Sequence, residues 1–297
     1  MLNIHHCHTG LLFRLQLIIY FINFYLSLSP PFFLLKGSCL CHTQLITMTT
    51  LMLHSIILLL IFSVVLAQGR KKPKGYPCPP HSQPWQAAIY KYSRFYCGAS
   101  LLNQRWVLTA AHCNHGSIHV RLGDDNLNVL EGTEQFLAVE KTIVHPKYNQ
   151  SCYDNDVMLV KLLSPAVLNH YVQPISLATQ RASSGDMCMV SGWGGPINFP
   201  ERIPLVLYCA NVRIMSWEEC SALYPGKLNT DMMCAAAMGG GTDSCEGDSG
   251  GPLVCNRKLQ GLVSWGDVPC SSSTKPGVYM DISRYRDWII ETMCDDG

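Results

Sequence analysis

The sequence has almost no net charge: 22 Lys and Arg stand against 21 Asp and Glu in 297 residues, a formal balance of +1. A polyanionic partner selects a basic excess, so nucleic acid and an anionic membrane surface both lack electrostatic support. Repeated pairs of closely spaced cysteines are also missing, which removes the usual zinc-module pattern. No internal repeat and no low-complexity linker follow Gln68, so nothing signals a repeat array or a tethered module. Cysteine itself is abundant, at fifteen residues. So many in a chain without metal-site spacing point to a disulfide framework made in an oxidising compartment. The length allows one or two domains, and an all-β barrel protein runs to roughly 200–250 residues as one unit.

The first 67 residues differ from the rest. Residues 11–35 are strongly apolar but broken by Arg14, Ser27, Ser29, Pro30 and Pro31. Residues 51–67 form a second apolar run ending in Val65-Leu66-Ala67, whose small residues suit signal-peptidase cleavage before Gln68. That run is short beside the roughly 20 residues a membrane helix needs. Residues 48–67 therefore read as a signal peptide, although no basic residue opens them. Residues 1–47 read as an upstream segment that a start at Met48 would omit, the alternative being a signal anchor around residues 15–29. His5, His6, Cys7 and His8 fall there and read as an unstructured terminus rather than a metal site. Residues 68–74, with Arg70, Lys71, Lys72 and Lys74, read as an exposed basic leader. Residues 75–297 remain as the folded domain.

From Tyr76 onward, short apolar runs alternate with turn residues, the signature of an all-β fold. Two stretches read as helix. Residues 216–223 open on Ser216 with Glu218 and Glu219 in the first turn, where carboxylates complement the helix dipole. Residues 282–293 place Tyr285, Trp288, Ile289 and Met293 at helical spacing.

Three segments carry chemistry: Leu108-Thr-Ala-Ala-His-Cys113 presents His112, Asp154-Asn-Asp-Val-Met-Leu159 presents Asp156, and Gly247-Asp-Ser-Gly-Gly-Pro252 presents Ser249. A serine hydroxyl is a poor nucleophile near neutral pH and needs an adjacent base, which in turn needs an orienting carboxylate. The glycines around Ser249 let the backbone bend and bring amides close to a substrate oxygen. Asp154, His115 and His119 read as ordinary neighbours of these residues.

These motifs, in the order His, Asp, Ser, closely resemble those of the trypsin family, over residues 75 to about 293. The resemblance implies two packed antiparallel β-barrels of the chymotrypsin type, roughly residues 75–185 and 186–297, with a short C-terminal helix. It implies a catalytic triad of His112, Asp156 and Ser249, with the N–H groups of Gly247 and Ser249 as oxyanion hole. Asp243 would lie at the base of the primary pocket beside Ser244 and select Arg or Lys. Gly266 and Gly277 would leave that pocket open, and Ser264-Trp265-Gly266 would pair with substrate backbone. Glu246, often glutamine in trypsins, would modestly repel acidic residues near the scissile bond.

The family's disulfide pairing carries over as Cys78 with Cys209, Cys97 with Cys113, Cys188 with Cys255, Cys220 with Cys234, and Cys245 with Cys270. One further bridge of digestive trypsins has both partners replaced together, by Arg181 and Ser283. Cys152 and Cys294 are left over, either to pair with each other or, for Cys294, with another chain. Asp124, Asn126, Val129, Glu131 and Glu134 match a calcium loop, with Asp124 shorter than the usual glutamate. No cofactor is implied for catalysis. The implied protein is a secreted, monomeric zymogen-type enzyme, its partners protein or peptide substrates with basic residues, and protease inhibitors. Asn149-Gln150-Ser151 is in addition a glycosylation sequon seven residues before Asp156.

One departure stands out. Family zymogens are cut to free an Ile-Val terminus whose ammonium pairs with the acid before the nucleophile, here Asp248. The aligned pair in this chain is Lys72-Pro73. A lysine fits an apolar socket poorly, and proline fixes φ. Two readings result: an active protease with altered zymogen control, or a catalytically weak homologue that acts by binding.

Overall fold

The computed structural model describes residues 75–194, 206–237, 248–267 and 275–296, together with Met52, Ser55 and Ile56. The chain divides into two compact units, Met1–Lys71 and Lys72–Gly297. In the first, Met52, Ser55 and Ile56 are helical. No described helix is long and apolar enough to cross a membrane. The expected signal peptide (apart from those three residues), basic leader and Lys72-Pro73 pair lie outside the described residues.

Among its described residues the second unit holds thirteen strands. Six of them, β2 (Gln86–Lys91), β3 (Arg94–Asn103), β4 (Trp106–Thr109), β5 (Ile118–Leu122), β6 (Gln135–Val144) and β7 (Met158–Leu162), close a barrel in the order β2-β3-β4-β7-β6-β5. Every neighbour pair is antiparallel, with Leu108 opposite Leu159 and Ile89 opposite Cys97. Apolar side chains fill the interior: in β5, Ile118, Val120 and Leu122 are buried while His119 between them is exposed, the period of two that a half-buried strand requires.

The remaining strands form a second ring. β8 (Met187–Gly192), β9 (Tyr208–Ile214), β10 (Met232–Ala237), β13 (Gly277–Asp281), β12 (Lys258–Trp265) and β11 (Pro252–Cys255) are joined in sequence, and β8–β9 pairing closes them. The short β1 (Tyr76–Pro77) adds to the edge of β9. This is the expected all-β architecture of two six-stranded antiparallel barrels. The Cys78–Cys209 bond pins the start of the domain to β9, and Cys188–Cys255 ties β8 to β11.

Both expected helices are present. α1 (Trp217–Leu223) is opened by a capping box: Glu219 N–H donates to Ser216 Oγ and Ser216 N–H to Glu219 Oε2, each at 3.1 Å. The Cys220–Cys234 disulfide fastens it to β10. α2 (Ile282–Asp295) buries Ile282, Tyr285 and Ile289. It also reaches the first barrel. His145 packs edge-on against Trp288 and Tyr285, and Asp296 just beyond the helix meets Lys141 of β6 and Lys161 of β7. The C-terminal helix is thus a strap across both barrels.

Arg181 and Ser283, expected to replace a family disulfide, are connected through other bonds. The Arg181 guanidinium donates to Thr230 O at 2.7 Å and Met232 O at 2.5 Å, and its Nε lies 3.6 Å from Asp281 Oδ2. Ser283 Oγ donates to Asp281 Oδ1 at 2.8 Å. Asp281 is fully buried, so one carboxylate joins the two substituted positions.

Candidate active site

β4 ends at Thr109, and the chain turns through a single 3-10 turn, Ala111–Cys113, that carries His112. The Cys97–Cys113 bond holds this turn against β3. Asp156 arrives from the other side, two residues before β7, and is fully buried. The two meet twice. His112 N–H donates to Asp156 Oδ1 at 2.9 Å, and the Nδ1 of the ring lies 2.7 Å from Asp156 Oδ2. The backbone contact fixes the turn and the ring contact fixes the imidazole, so position and orientation come from one carboxylate.

The second barrel supplies a third partner. Ser264 of β12 donates its hydroxyl to Asp156 Oδ2 at 2.5 Å. From sequence Ser264 is only part of a substrate-pairing strand, and the motif around it gives no sign of this bond. A serine facing a buried acid across two barrels is visible only once the barrels are packed. Tyr153 was also missed: its ring stands edge-on to His112 with centroids 5.6 Å apart, on a backbone of positive φ. Burial pushes the Tyr148 phenol up to about 12, and the nearby Asp156 charge adds to that.

Ser249 is brought to this group through its backbone. Gly98 N–H of β3 donates to Ser249 O at 2.8 Å, and Cys113 Sγ lies 3.8 Å from the same oxygen. The approach depends on missing side chains. A Cβ on Gly98 would lie 2.9 Å from Gly251 Cα, and one on Gly250 would lie 2.1 Å from Thr109 Oγ1. Gly250 also has φ of +76°, which L side chains rarely adopt. The Gly-Gly pair after the serine is therefore the surface on which two barrels touch.

Asp248 is buried and accepts a hydrogen bond from Gly194 N–H at 2.7 Å. Side chains are excluded around it: a Cβ on Gly192 would lie 2.0 Å from its carboxylate oxygen and one on Gly194 2.5 Å from its carboxyl carbon. Gly266 and Gly277 face each other at the mouth of β12 and β13, a Cβ on Gly266 coming within 3.9 Å of Gly277 Cα. Trp265 packs edge-on to Tyr224 with centroids 5.0 Å apart. Asp243, Ser244, Cys245, Glu246, Gly247 and Cys270, the expected pocket base, oxyanion donor and fifth disulfide among them, lie outside the described residues.

In the candidate calcium loop, Asp124 is buried and paired with Arg121, while its Oδ2 has no hydrogen-bond partner. Burial raises its pKa to about 7; Arg121 opposes the rise, and Glu134 and Glu131 add to it. Glu131 Oε2 accepts from the N–H groups of Asp125 and Asn126, and Glu134 from those of Glu131 and Gly132. Asn126 O accepts from Val129 N–H at 3.0 Å. The orphaned oxygen and the mutual repulsion of three acids fit a hard cation, although the three carboxylates do not close to within mutual ligating distance. Among the described residues one group of His, Cys, Asp and Glu does come that close, Cys97, His112 and Cys113. Its two sulfurs are bonded to each other, so it is no metal site. Cys152 and Cys294 are free and exposed rather than paired.

Known proteins are similar to this chain in sequence and fold. A family model described as Trypsin matches residues 72–289. Human Kallikrein-15 is 48% identical over 244 residues, covering 79% of this chain and 95% of that protein. Trypsin-4 of Rattus norvegicus is 47% identical, covering 75% of this chain and 90% of its own. Among solved structures, neuropsin, a serine protease expressed in the limbic system of mouse brain, superposes with a TM-score of 0.69 at 45% identity, covering 74% of this chain and 99% of that one.

Proposed function

Because this chain belongs to the trypsin family of serine proteases, we propose that it hydrolyses peptide bonds after Arg or Lys with Ser249, His112 and Asp156 as its triad. The observation that carries the reading is the doubly bonded His112–Asp156 pair beside the Ser249 backbone. Ser249 Oγ attacks the scissile carbonyl carbon while His112 takes its proton through Nε2. The developing oxyanion is received by the N–H groups of Gly247 and Ser249; one such donor typically contributes about 10²–10³ in rate. His112 then gives the proton to the departing amine, and water releases the acyl group by the same steps in reverse. Asp156 keeps Nδ1 protonated and stabilises the imidazolium, and Ser264 holds Asp156 in place.

Asp243 is the proposed specificity residue, since a carboxylate at the floor of a narrow pocket needs a cationic partner. Ser244, Ser264, Trp265, Gly266 and Gly277 complete the substrate-binding surface, and Asp248 is the proposed partner of the activated terminus. The residues 48–67 serve as signal peptide and residues 68–74 as leader, making the mature protein extracellular, in keeping with its four described disulfides. No cofactor enters the reaction.

The test is titration of the mature protein, after N-terminal sequencing, with a serine-reactive inhibitor. Stoichiometric labelling of Ser249, with cleavage after Arg and Lys that Asp243→Ser abolishes, is the expected result. No labelling in any processed form would instead favour the binding homologue, the reading suggested by Lys72-Pro73 and disfavoured by relatives named as trypsins and kallikreins.

A calcium ion held by Asp124, Glu131, Glu134 and the carbonyls of Asn126 and Val129 is proposed on the strength of the orphaned Asp124 oxygen. The ion would neutralise three acids and stiffen the loop after β5. Millimolar Ca²⁺ raises the melting temperature on this reading, and Asp124→Ala removes the rise; no binding by calorimetry at that concentration ends it.

A further inference from the structure

We propose that the second barrel carries a ligand site of its own: an apolar slot beside α1 that takes a small organic cation, an aromatic ring on a short chain ending in an ammonium group. None of the residues that line it belongs to the proposed triad or primary pocket, so the site stands independently of the protease reading above.

The slot has a volume of about 230 Å³. That is below the roughly 300–1,000 Å³ of sites for drug-sized molecules and suits a single aromatic group. Ile214 of β9 and Met233 of β10 supply buried apolar wall, and the Cys220–Cys234 bond between α1 and β10 adjoins them. Met215 and Trp217 carry the apolar lining outward, and Trp217, the first residue of α1, is 41% exposed. No aromatic or cationic group among the described residues covers its ring. The lining thus combines an open indole with methionine and disulfide sulfur, and polarizable sulfur favours an aromatic neighbour.

Charge sets the sign of the ligand. Arg181 also lines the slot, but its guanidinium is engaged by Thr230 O and Met232 O and lies 3.6 Å from the fully buried Asp281 carboxylate, which balances it. The start of α1 offers little to an anion, because the capping box already uses Glu219 N–H on Ser216 Oγ. Three acids remain nearby: Glu218 in the lining, Glu219 beside it, and Asp186, whose carbonyl accepts from Ile214 N–H at 3.0 Å. None of the three forms an ion pair among the described residues. Arg213 lies on the opposite face of β9 from Ile214, as strand alternation requires. An ammonium group at the opening therefore finds the exposed Glu218 carboxylate and the Trp217 ring together, a charge pair and a cation–π contact, while the ring of the ligand enters the sulfur-lined wall.

The experiment titrates the full chain with phenethylamine by calorimetry. An Asp243→Ser background removes the acid expected to hold amines in the primary pocket. Binding at one site is expected, about tenfold tighter than that of ethylamine, which lacks the ring, and of phenylpropanoate, which reverses the charge. Glu218→Gln changes an exposed side chain and should weaken phenethylamine severalfold with the melting temperature unchanged. Trp217→Ala should weaken it about tenfold. Ser184→Trp, which fills the slot from its exposed edge, should abolish binding. Binding that survives all three substitutions lies elsewhere on the chain and overturns the proposal. Tighter binding of phenylpropanoate overturns it as well, and so does the absence of any binding at millimolar phenethylamine.

Discussion

The two barrels hold their halves of the site by different means. The first presents the proposed base and acid through side-chain hydrogen bonds and a disulfide: His112 is bound twice by Asp156, and Cys97–Cys113 clamps the turn that carries His112. The second presents the nucleophile through bare backbone, with Gly250 and Gly251 pressed against Thr109 and Gly98. One half is sensitive to atoms removed, the other to atoms added. The difference teaches that the proposed catalytic serine is positioned less by its own contacts than by the emptiness of its neighbours.

The sharpest way to break the comparison is deletion at each reacting group. Ser249→Ala and His112→Ala should each lower kcat by about 10⁶-fold with little loss of stability, and combining them should cost hardly more, because the groups act as one unit. Single-turnover kinetics on an Arg-containing amide would show it; additive losses would mean the two work separately. Asp156→Asn should cost about 10⁴-fold through the wrong imidazole tautomer.

Addition is the next test. Gly250→Ala places a methyl group against Thr109 at a positive φ, so a destabilisation of about 2–4 kcal/mol is expected. Urea denaturation measures it. Thr109→Ala in the same chain should recover part of the loss, whereas a wild-type midpoint for Gly250→Ala alone would deny that the barrels touch there.

These expectations also mark what could be read from the sequence. His112, Asp156 and Ser249 stood out because their flanking motifs are local, and the alternation of apolar and turn residues announced the strands. Ser216 with Glu218 and Glu219 announced a helix start because a cap residue and a first helical turn span only a few residues. Ser264 and Tyr153 were silent, since each acts on a partner from a distant part of the chain: Ser264 reaches Asp156 across 108 positions. The fate of Arg181 and Ser283 was half legible. Their joint substitution could be seen, but not the buried Asp281 that reconnects them.

A smaller effect probes the seam between the barrels. Ser264→Ala removes a charge-assisted hydrogen bond to a buried carboxylate, worth about 1.5–3 kcal/mol, and should lower kcat by about tenfold or more with KM unchanged. Because Ser264 is a positioning residue, the acid limb of the kcat profile should shift as well, and Ser264→Thr should restore part of the rate. A change confined to KM would assign Ser264 to substrate binding alone.

The smallest effect concerns the strap. Burial lowers the pKa of His145, Lys147 lowers it further, and Asp231 acts against them. A histidine whose folded pKa is depressed contributes stability that is present above its ordinary pKa and lost as pH falls through the folded value. The wild-type protein should therefore lose stability on acidification below about 6.5 more steeply than His145→Phe, which keeps the aromatic contacts to Trp288 and Tyr285. Parallel melting curves across that range would show that the ring does not titrate against the fold.

The Arg181–Asp281–Ser283 tie, proposed to stand where digestive trypsins have a cross-link, shapes how this chain reaches its native state. A covalent bridge narrows the denatured ensemble, whereas the Arg181–Asp281–Ser283 tie exists only after folding and leaves the unfolded chain its full reach. This tie is consequently blind to reductants and open to salt and acid, while the neighbouring Cys220–Cys234 bond has the opposite sensitivities.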